Sequence, residues 1–233
     1  MKTLTNRLCA LTLLVLGCLA PFGVAAQRYY TPDLAIGFKG GATLSEMSWS
    51  PTVRQKFTPG MTAGLCLRYT EENHFGLVAE LNFTQRGWAE KFNSDSNLDY
   101  KRQFSYLQLP IMTQIFFGSE KWRFFINLGP EIGYMVGDKT TANFNYRNIE
   151  SVSNFPRNHR YEQLAMEPGR KFDYGIAGGL GVEMRLRRKH SILLEGRFYY
   201  GLANVFPSSR RDVFGASRGM SIECTLGYMF RII

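Results

Sequence analysis

From residue 34 onward apolar and polar positions alternate in eight stretches, the two-residue rhythm of β-strands whose faces meet different surroundings. Leu34, Ile36, Phe38, Gly40, Ala42 and Leu44 share one face of the first stretch, against Gly37, Lys39, Gly41 and Thr43. The second sets Met61, Ala63, Leu65, Leu67 and Tyr69 against Thr62, Gly64, Cys66 and Arg68; the third sets Phe75, Leu77, Ala79, Leu81 and Phe83 against Gly76, Val78, Glu80, Asn82 and Thr84. Leu107 to Phe117, Phe124 to Val136, Phe172 to Leu186 and Ile192 to Leu202 repeat the pattern. Pro110 has no N–H for a ladder, so a bulge or kink is expected there. The last stretch places Met220, Ile222, Cys224, Leu226, Tyr228, Phe230 and Ile232 opposite Ser221, Glu223, Thr225, Gly227 and Arg231. A strand in this position needs a partner, and pairing it with the first closes a barrel.

Thr70–His74, Gly118–Trp122 and Arg187–His190 make short turns. The other connections are longer: the polar stretch before Met61, Arg86 to Gln103, Gly137 to Lys171, and Asn204 to Ser217. Long and short alternate, so every long connection falls at the same end. The pattern predicts an all-β, eight-stranded antiparallel up-and-down transmembrane β-barrel with short periplasmic turns and long external loops.

Alternation alone leaves open which face points outward, since a soluble lipocalin-like barrel buries its apolar face. Three features favour lipid outside. The apolar faces carry aromatics near their ends, among them Tyr69, Phe75, Phe117, Phe124, Tyr134, Phe172, Phe198, Tyr200, Tyr228 and Phe230, as an interfacial girdle requires. The polar faces are rich in Gly and poor in Lys, which suits a crowded lumen. They also hold opposite charges in near balance: Glu80, Glu131, Asp173, Glu183, Glu195 and Glu223 with Lys39, Arg68, Arg185, Arg197 and Arg231. Eight strands leave an interior that side chains just fill. Unpaired buried charge is costly, so a salt-bridged plug without a wide channel is expected. An ion pathway or catalytic dyad is the sharper alternative.

Residues 1–26 read as a signal peptide: the basic start Met1 to Arg7, the apolar run Leu8 to Leu19, and Val24-Ala25-Ala26 as cleavage site. A lipoprotein signal ending at Cys18 is the rival. Residues 27–233 would then form the barrel domain, with no run long enough for a membrane helix. Aromatics at 14%, 23 Gly and only 20% charged residues fit a strand-rich chain. Without Lys2 and Arg7 the formal charge falls from +9 to +7, which favours acidic or phosphate-bearing neighbours. For an exported chain that excludes nucleic acid and points to lipid. Cys66 and Cys224 fall on opposite faces of non-adjacent strands and are expected as free thiols. With His74, His159 and His190 as the histidines, neither a metal site nor another cofactor is expected.

Two resemblances follow. Thr225, Gly227, Phe230 and Ile232 resemble the C-terminal signal of bacterial outer-membrane barrels, which implies insertion by the barrel-assembly machinery. Gly37-Phe-Lys-Gly-Gly41, Tyr106-Leu-Gln-Leu-Pro110, Leu128-Gly-Pro-Glu-Ile-Gly-Tyr134, Phe172 to Glu183 and Leu226-Gly-Tyr228 resemble the PorT-type outer-membrane β-barrel proteins over nearly all of residues 27–233. That resemblance implies an eight-stranded barrel in the cell outer membrane, with type IX secretion the role of some relatives and no catalytic motif to carry over. The expected function is non-enzymatic: a surface-binding or structural barrel, or an accessory of an envelope assembly. Its expected partners are outer-membrane lipid, lipopolysaccharide and envelope proteins. A lipid A-modifying enzyme using His159 with Ser151 or Ser153, and a small-solute pore, are the alternatives.

Overall fold

The computed structural model describes residues 32–71, 74–92, 97–119, 121–152, 155–156, 160–187, 189–209 and 212–232. The expected signal peptide lies outside them, as do Ser153 and His159. Eight long strands are present: β1 (Asp33–Ser50), β2 (Thr58–Thr70), β3 (Phe75–Glu90), β4 (Tyr100–Gly118), β5 (Trp122–Ala142), β6 (Phe172–Arg187), β7 (His190–Gly201) and β8 (Ala216–Arg231). Each pairs antiparallel with the next. β1 also pairs with β8, from Ala35 opposite Arg231 to Ser50 opposite Ala216, and the ring is closed. A two-residue bridge, Gln55–Lys56, adds to the upper part of β3. The helical pieces are short, a 3-10 turn at Ile149–Ser151 and an α-helix at Glu162–Ala165.

The apolar face looks outward along the lower and middle parts of the strands. Phe38, Met61, Leu65, Leu128, Leu180 and Leu226 are each at least 60% exposed, while Lys39, Glu80, Glu183 and Arg197 are buried inside. A row of hydrocarbon facing out with charges facing in is stable only if lipid surrounds the wall. Phe75, Phe117, Trp122 and Phe124 mark one rim of this belt, and Phe83, Tyr134, Phe172 and Phe198 the other. Gly118 begins the turn into β5 with φ +131°, a conformation that L side chains rarely adopt.

Toward the external end the strands run further than the sequence reading drew them, because polarity inverts there. Above Leu44 the outer face of β1 becomes Glu46, Ser48 and Ser50, and its inner face becomes Met47 and Trp49. In β3 the inner face continues through Arg86, Trp88 and Glu90, which Arg86–Gln103 as a loop had left out. β4 likewise begins at Tyr100 and β5 continues to Ala142. The first three external connections are correspondingly shorter than expected, while the one between β7 and β8, residues 202–215, keeps its length.

Of the bulge or kink expected at Pro110, the bulge is absent. The β3–β4 pairing skips Glu80 opposite Pro110 and Leu81 opposite Leu109, but resumes in the same register, so proline removes a bond without adding a bulge. The register shift of β4 lies instead at Ser105/Tyr106, against β5. Cys66 and Cys224 are both free, the first buried and the second exposed, on strands separated by β1.

Candidate functional site

The interior is a stack of polar layers, each assembled from strands far apart in sequence. Near the periplasmic mouth Arg68 on β2 donates both terminal nitrogens to Glu183 on β6, at 2.8 and 2.9 Å. This parallel, charge-assisted pair fixes β2 and β6 across the lumen. Arg231 pairs with Asp33 at 2.7 Å and remains one-third exposed.

The central layer is a four-membered network. Glu80 receives Lys39 at 2.6 Å and Arg197 at 2.7 Å. Arg197 also reaches Glu195 at 2.8 Å, and Lys39 lies 3.5 Å from the same carboxylate. Asn82 donates to Glu80, Asn127 donates to Glu195, and Gln114 donates to Asn127. Neutral amides thus occupy carboxylate lone pairs that the cations leave open, as a dry site demands. Gly64 permits the approach: a Cβ there would lie 2.1 Å from Asn82 Oδ1. A cavity of about 20 Å³ beside this layer has room for about one water molecule.

Above it Arg86 bonds Glu131 at 2.6 Å and Glu223 at 3.2 Å, and its guanidinium stands 3.7 Å from the centre of the Tyr199 ring. Tyr199 donates its hydroxyl to Asp173 at 2.8 Å. Arg102 closes the polar stack, gripping Asp138 at 2.6 and 3.0 Å and donating to the Met166 carbonyl.

The structure therefore brings Lys39, Glu80, Glu195 and Arg197 into one network and joins Arg68 to Glu183. Two expected members do not enter ion pairs. Asp173 is held by Tyr199, and Arg185 has no ion pair among the described residues, because the nearby Glu183 is already taken bidentately by Arg68. Glu131 and Glu223 do pair, but with Arg86, and Arg231 pairs with Asp33; neither partner was among the expected residues. Carrying the period-two count three steps past Glu80 would have found Arg86, since Asn82, Thr84 and Arg86 share its face. Thr225 and Gly227 face the interior, whereas Phe230 lies on the outer face of β8 and Ile232, just past its end, is exposed.

Over the polar stack sits an apolar cap. Met47, Trp49, Val53, Trp88, Tyr100, Phe104, Tyr106, Met135, Leu164, Val205, Phe206 and Phe214 form a buried cluster, with Phe144, Tyr146, Phe155 and Met166 packed against it. Trp49 stacks on Phe206 at 5.3 Å, and Trp88 meets Phe206 edge-on at 5.6 Å. The loops are tied into the cap by single bonds: Tyr100 to the Leu164 carbonyl, Gln163 to Glu90, and Gly169 N–H to the Val205 carbonyl. The external end is thus a cored platform above the lipid belt. Its strand half, Trp49, Trp88, Tyr100 and Phe104, lies beyond the lipid-facing alternation, and its loop aromatics have no period and are recruited by contact.

A closed eight-stranded ring, a lipid-facing belt and a side-chain-filled lumen define an outer-membrane β-barrel. Residues 25–207 match the family model described as "Outer membrane protein beta-barrel domain", and the chain belongs to that family. It resides in the outer membrane. No curated protein matches its sequence. Among solved structures it is similar to the outer membrane protein OprG from Pseudomonas aeruginosa, with a TM-score of 0.52 and 12% identity over 85% of this chain and 95% of that one. Ail, the attachment invasion locus protein of Yersinia pestis, in complex with the heparin analogue sucrose octasulfate, gives 0.40 and 13% over 86% and 99%. Neisserial surface protein A gives 0.44 and 10% over 85% and 99%. At these identities the likeness concerns the fold, and OprG carries it.

Proposed function

We propose that the protein is a non-enzymatic barrel of the PorT type that acts through its external end, as a surface-binding or structural protein or as an accessory of an envelope assembly such as type IX secretion. The observation that supports this reading is the pairing of a filled lumen with a cored external platform. Side chains that block transport leave the outer surface as the working part, and an apolar cap gives its loops a fixed shape for recognition. The terminal Thr225, Gly227, Phe230 and Ile232 serve, on this proposal, as the signal read by the barrel-assembly machinery.

The test is site-specific photo-crosslinking in cells, with the probe at Tyr161 or Val213, which are half exposed on the platform. A discrete adduct with an envelope component is expected from these positions and not from the periplasmic-end residue Lys121. Absence of any adduct from either external position would remove the assembly version. Planar-bilayer recording should show no conductance steps; steady openings would favour the pore. If replacing His159 by Ala abolished modification of lipid A in the same membranes, the reading as a non-enzyme would fall.

A further inference from the structure

On the outer wall, where the belt gives way to the platform, a cleft of about 450 Å³ opens between the end of the long β5–β6 connection and the β7–β8 loop. Its floor is Tyr174 and Leu202, both more than 40% exposed toward the lipid side. Its upper wall carries Arg170, Asn204 and Ser208. The cleft is a built feature. Leu202 N–H bonds the Tyr174 carbonyl at 2.8 Å, Gly169 N–H bonds the Val205 carbonyl at 2.9 Å, and Asn204 is anchored by accepting from the Ser217 N–H. Asn204 donates in turn to the Ser208 hydroxyl oxygen at 2.9 Å, which leaves that hydroxyl's proton to be donated elsewhere.

Arg170 is exposed, and among the described residues no carboxylate pairs with it. Continuing the register that sets Tyr200 opposite Met220 brings Arg218 of β8 across from Leu202, on the same outer face. Arg218 does not itself line the cleft; its Nη1 lies 3.5 Å from the Tyr200 hydroxyl, its Nε is buried without a partner, and no carboxylate pairs with it among the described residues. Lys171, next to Arg170 in the chain, is exposed as well. Asp212, the acid nearest in the loop, is occupied by the Ser209 N–H.

We propose that this cleft is a binding site for a phosphate-bearing lipid of the outer leaflet, of the lipopolysaccharide class. Phosphate oxygens sit between Arg170 and Arg218 and accept from Ser208, while an acyl chain descends over Leu202 and Tyr174. The Arg170 guanidinium on the cleft wall, with Arg218 on the strand beside the floor, stands above an apolar step and matches an anionic amphiphile at both ends. The proposal rests on the external end being the working surface, and it names what covers one side of it.

The test uses the full chain in detergent micelles and native mass spectrometry. The probes are bis-phosphorylated lipid A, the same lipid after phosphatase treatment, and inorganic phosphate. The phosphorylated lipid should stay bound and the dephosphorylated one should bind roughly tenfold or more weakly. Arg170→Gln with Arg218→Gln should weaken the phosphorylated lipid by a similar factor, and Lys121→Gln with Lys189→Gln, at the periplasmic end, should leave it unchanged. Equal binding of both lipids by the unaltered protein overturns the proposal without reference to any variant. Displacement of the lipid by an equal concentration of inorganic phosphate would make the cleft a free-phosphate site and overturn it too. If lipid discrimination fails while platform crosslinks persist, only this inference falls. The converse result removes the protein partner and leaves the lipid site standing.

Discussion

Arg197 lies between two carboxylates, whereas Arg185 lies at the periplasmic mouth with none of its own. Both are arginines on inward faces of neighbouring strands, yet the consequences of removing them differ in size. With Arg197→Met, Glu80 and Glu195 keep only Lys39 between them, and a buried carboxylate loses its charge partner. The expected loss is about 3–5 kcal/mol. With Arg185→Met, a half-buried cation that makes no ion pair among the described residues is replaced by apolar volume. Stability should change by less than about 1 kcal/mol, or rise. Urea unfolding of each variant in phospholipid vesicles, followed by tryptophan fluorescence, measures the pair. Equal losses for both would mean that the central network does not hold the wall together.

Elements were legible where lipid enforces alternation and obscure where it does not. Leu34–Leu44 and Met220–Ile232 show the period because hydrocarbon must cover one face at every second residue. Past Leu44 that demand ends, and Glu46, Ser48, Met47 and Trp49 continue the same strand with the faces exchanged. Reading outward hydrophobicity as the mark of a strand therefore stops each strand at the membrane edge, and Arg86 is lost with the segment beyond it. Pro110 is a different case: its missing donor predicts a bulge or kink, and no bulge forms because the neighbouring bonds hold the register unaided. The charges expected inside were identifiable individually, but which partner each would take depends on barrel closure and was not.

The external cap makes a prediction at this same scale. Trp88 packs against Trp49, Tyr100, Phe104 and Phe206, and truncation to Ala should cost the cap about 3–5 kcal/mol. The loss is largely local: of the lumen layers, the uppermost touches the Trp88 ring, through the Arg102 guanidinium 5.9 Å from its centre. Trp88→Ala is expected to release the external loops to added protease while the strands stay uncut and the barrel keeps its heat-modifiable migration. Loops as resistant as in the unaltered protein would show that the cap is not what fixes them.

For the whole molecule, the two inversions of polarity set the depth at which the barrel sits. Charges lie inside and hydrocarbon outside between the aromatic rims; aromatics lie inside and polar groups outside above them. A substitution should therefore be judged by its height as well as its direction. Leu180 faces outward at 71% exposure, midway along the apolar run of β6, and Leu180→Arg places a guanidinium at the centre of the bilayer. That should cost about 2–4 kcal/mol of folding free energy in vesicles. Ser105 faces outward one step above Leu107, where β4 leaves the belt. Ser105→Arg should cost no more than about 1 kcal/mol, since the charge reaches headgroups and water. Both changes add the same side chain and the same charge to the outer surface of the sheet, so the charge itself cancels between them; what differs is depth, together with the leucine hydrocarbon lost at residue 180. Comparable urea midpoints for the two variants in vesicles would contradict a lipid belt bounded at Leu107. A midpoint lowered for Leu180→Arg alone would fix the membrane edge between the two residues, and with it the height of the cleft beside Arg170.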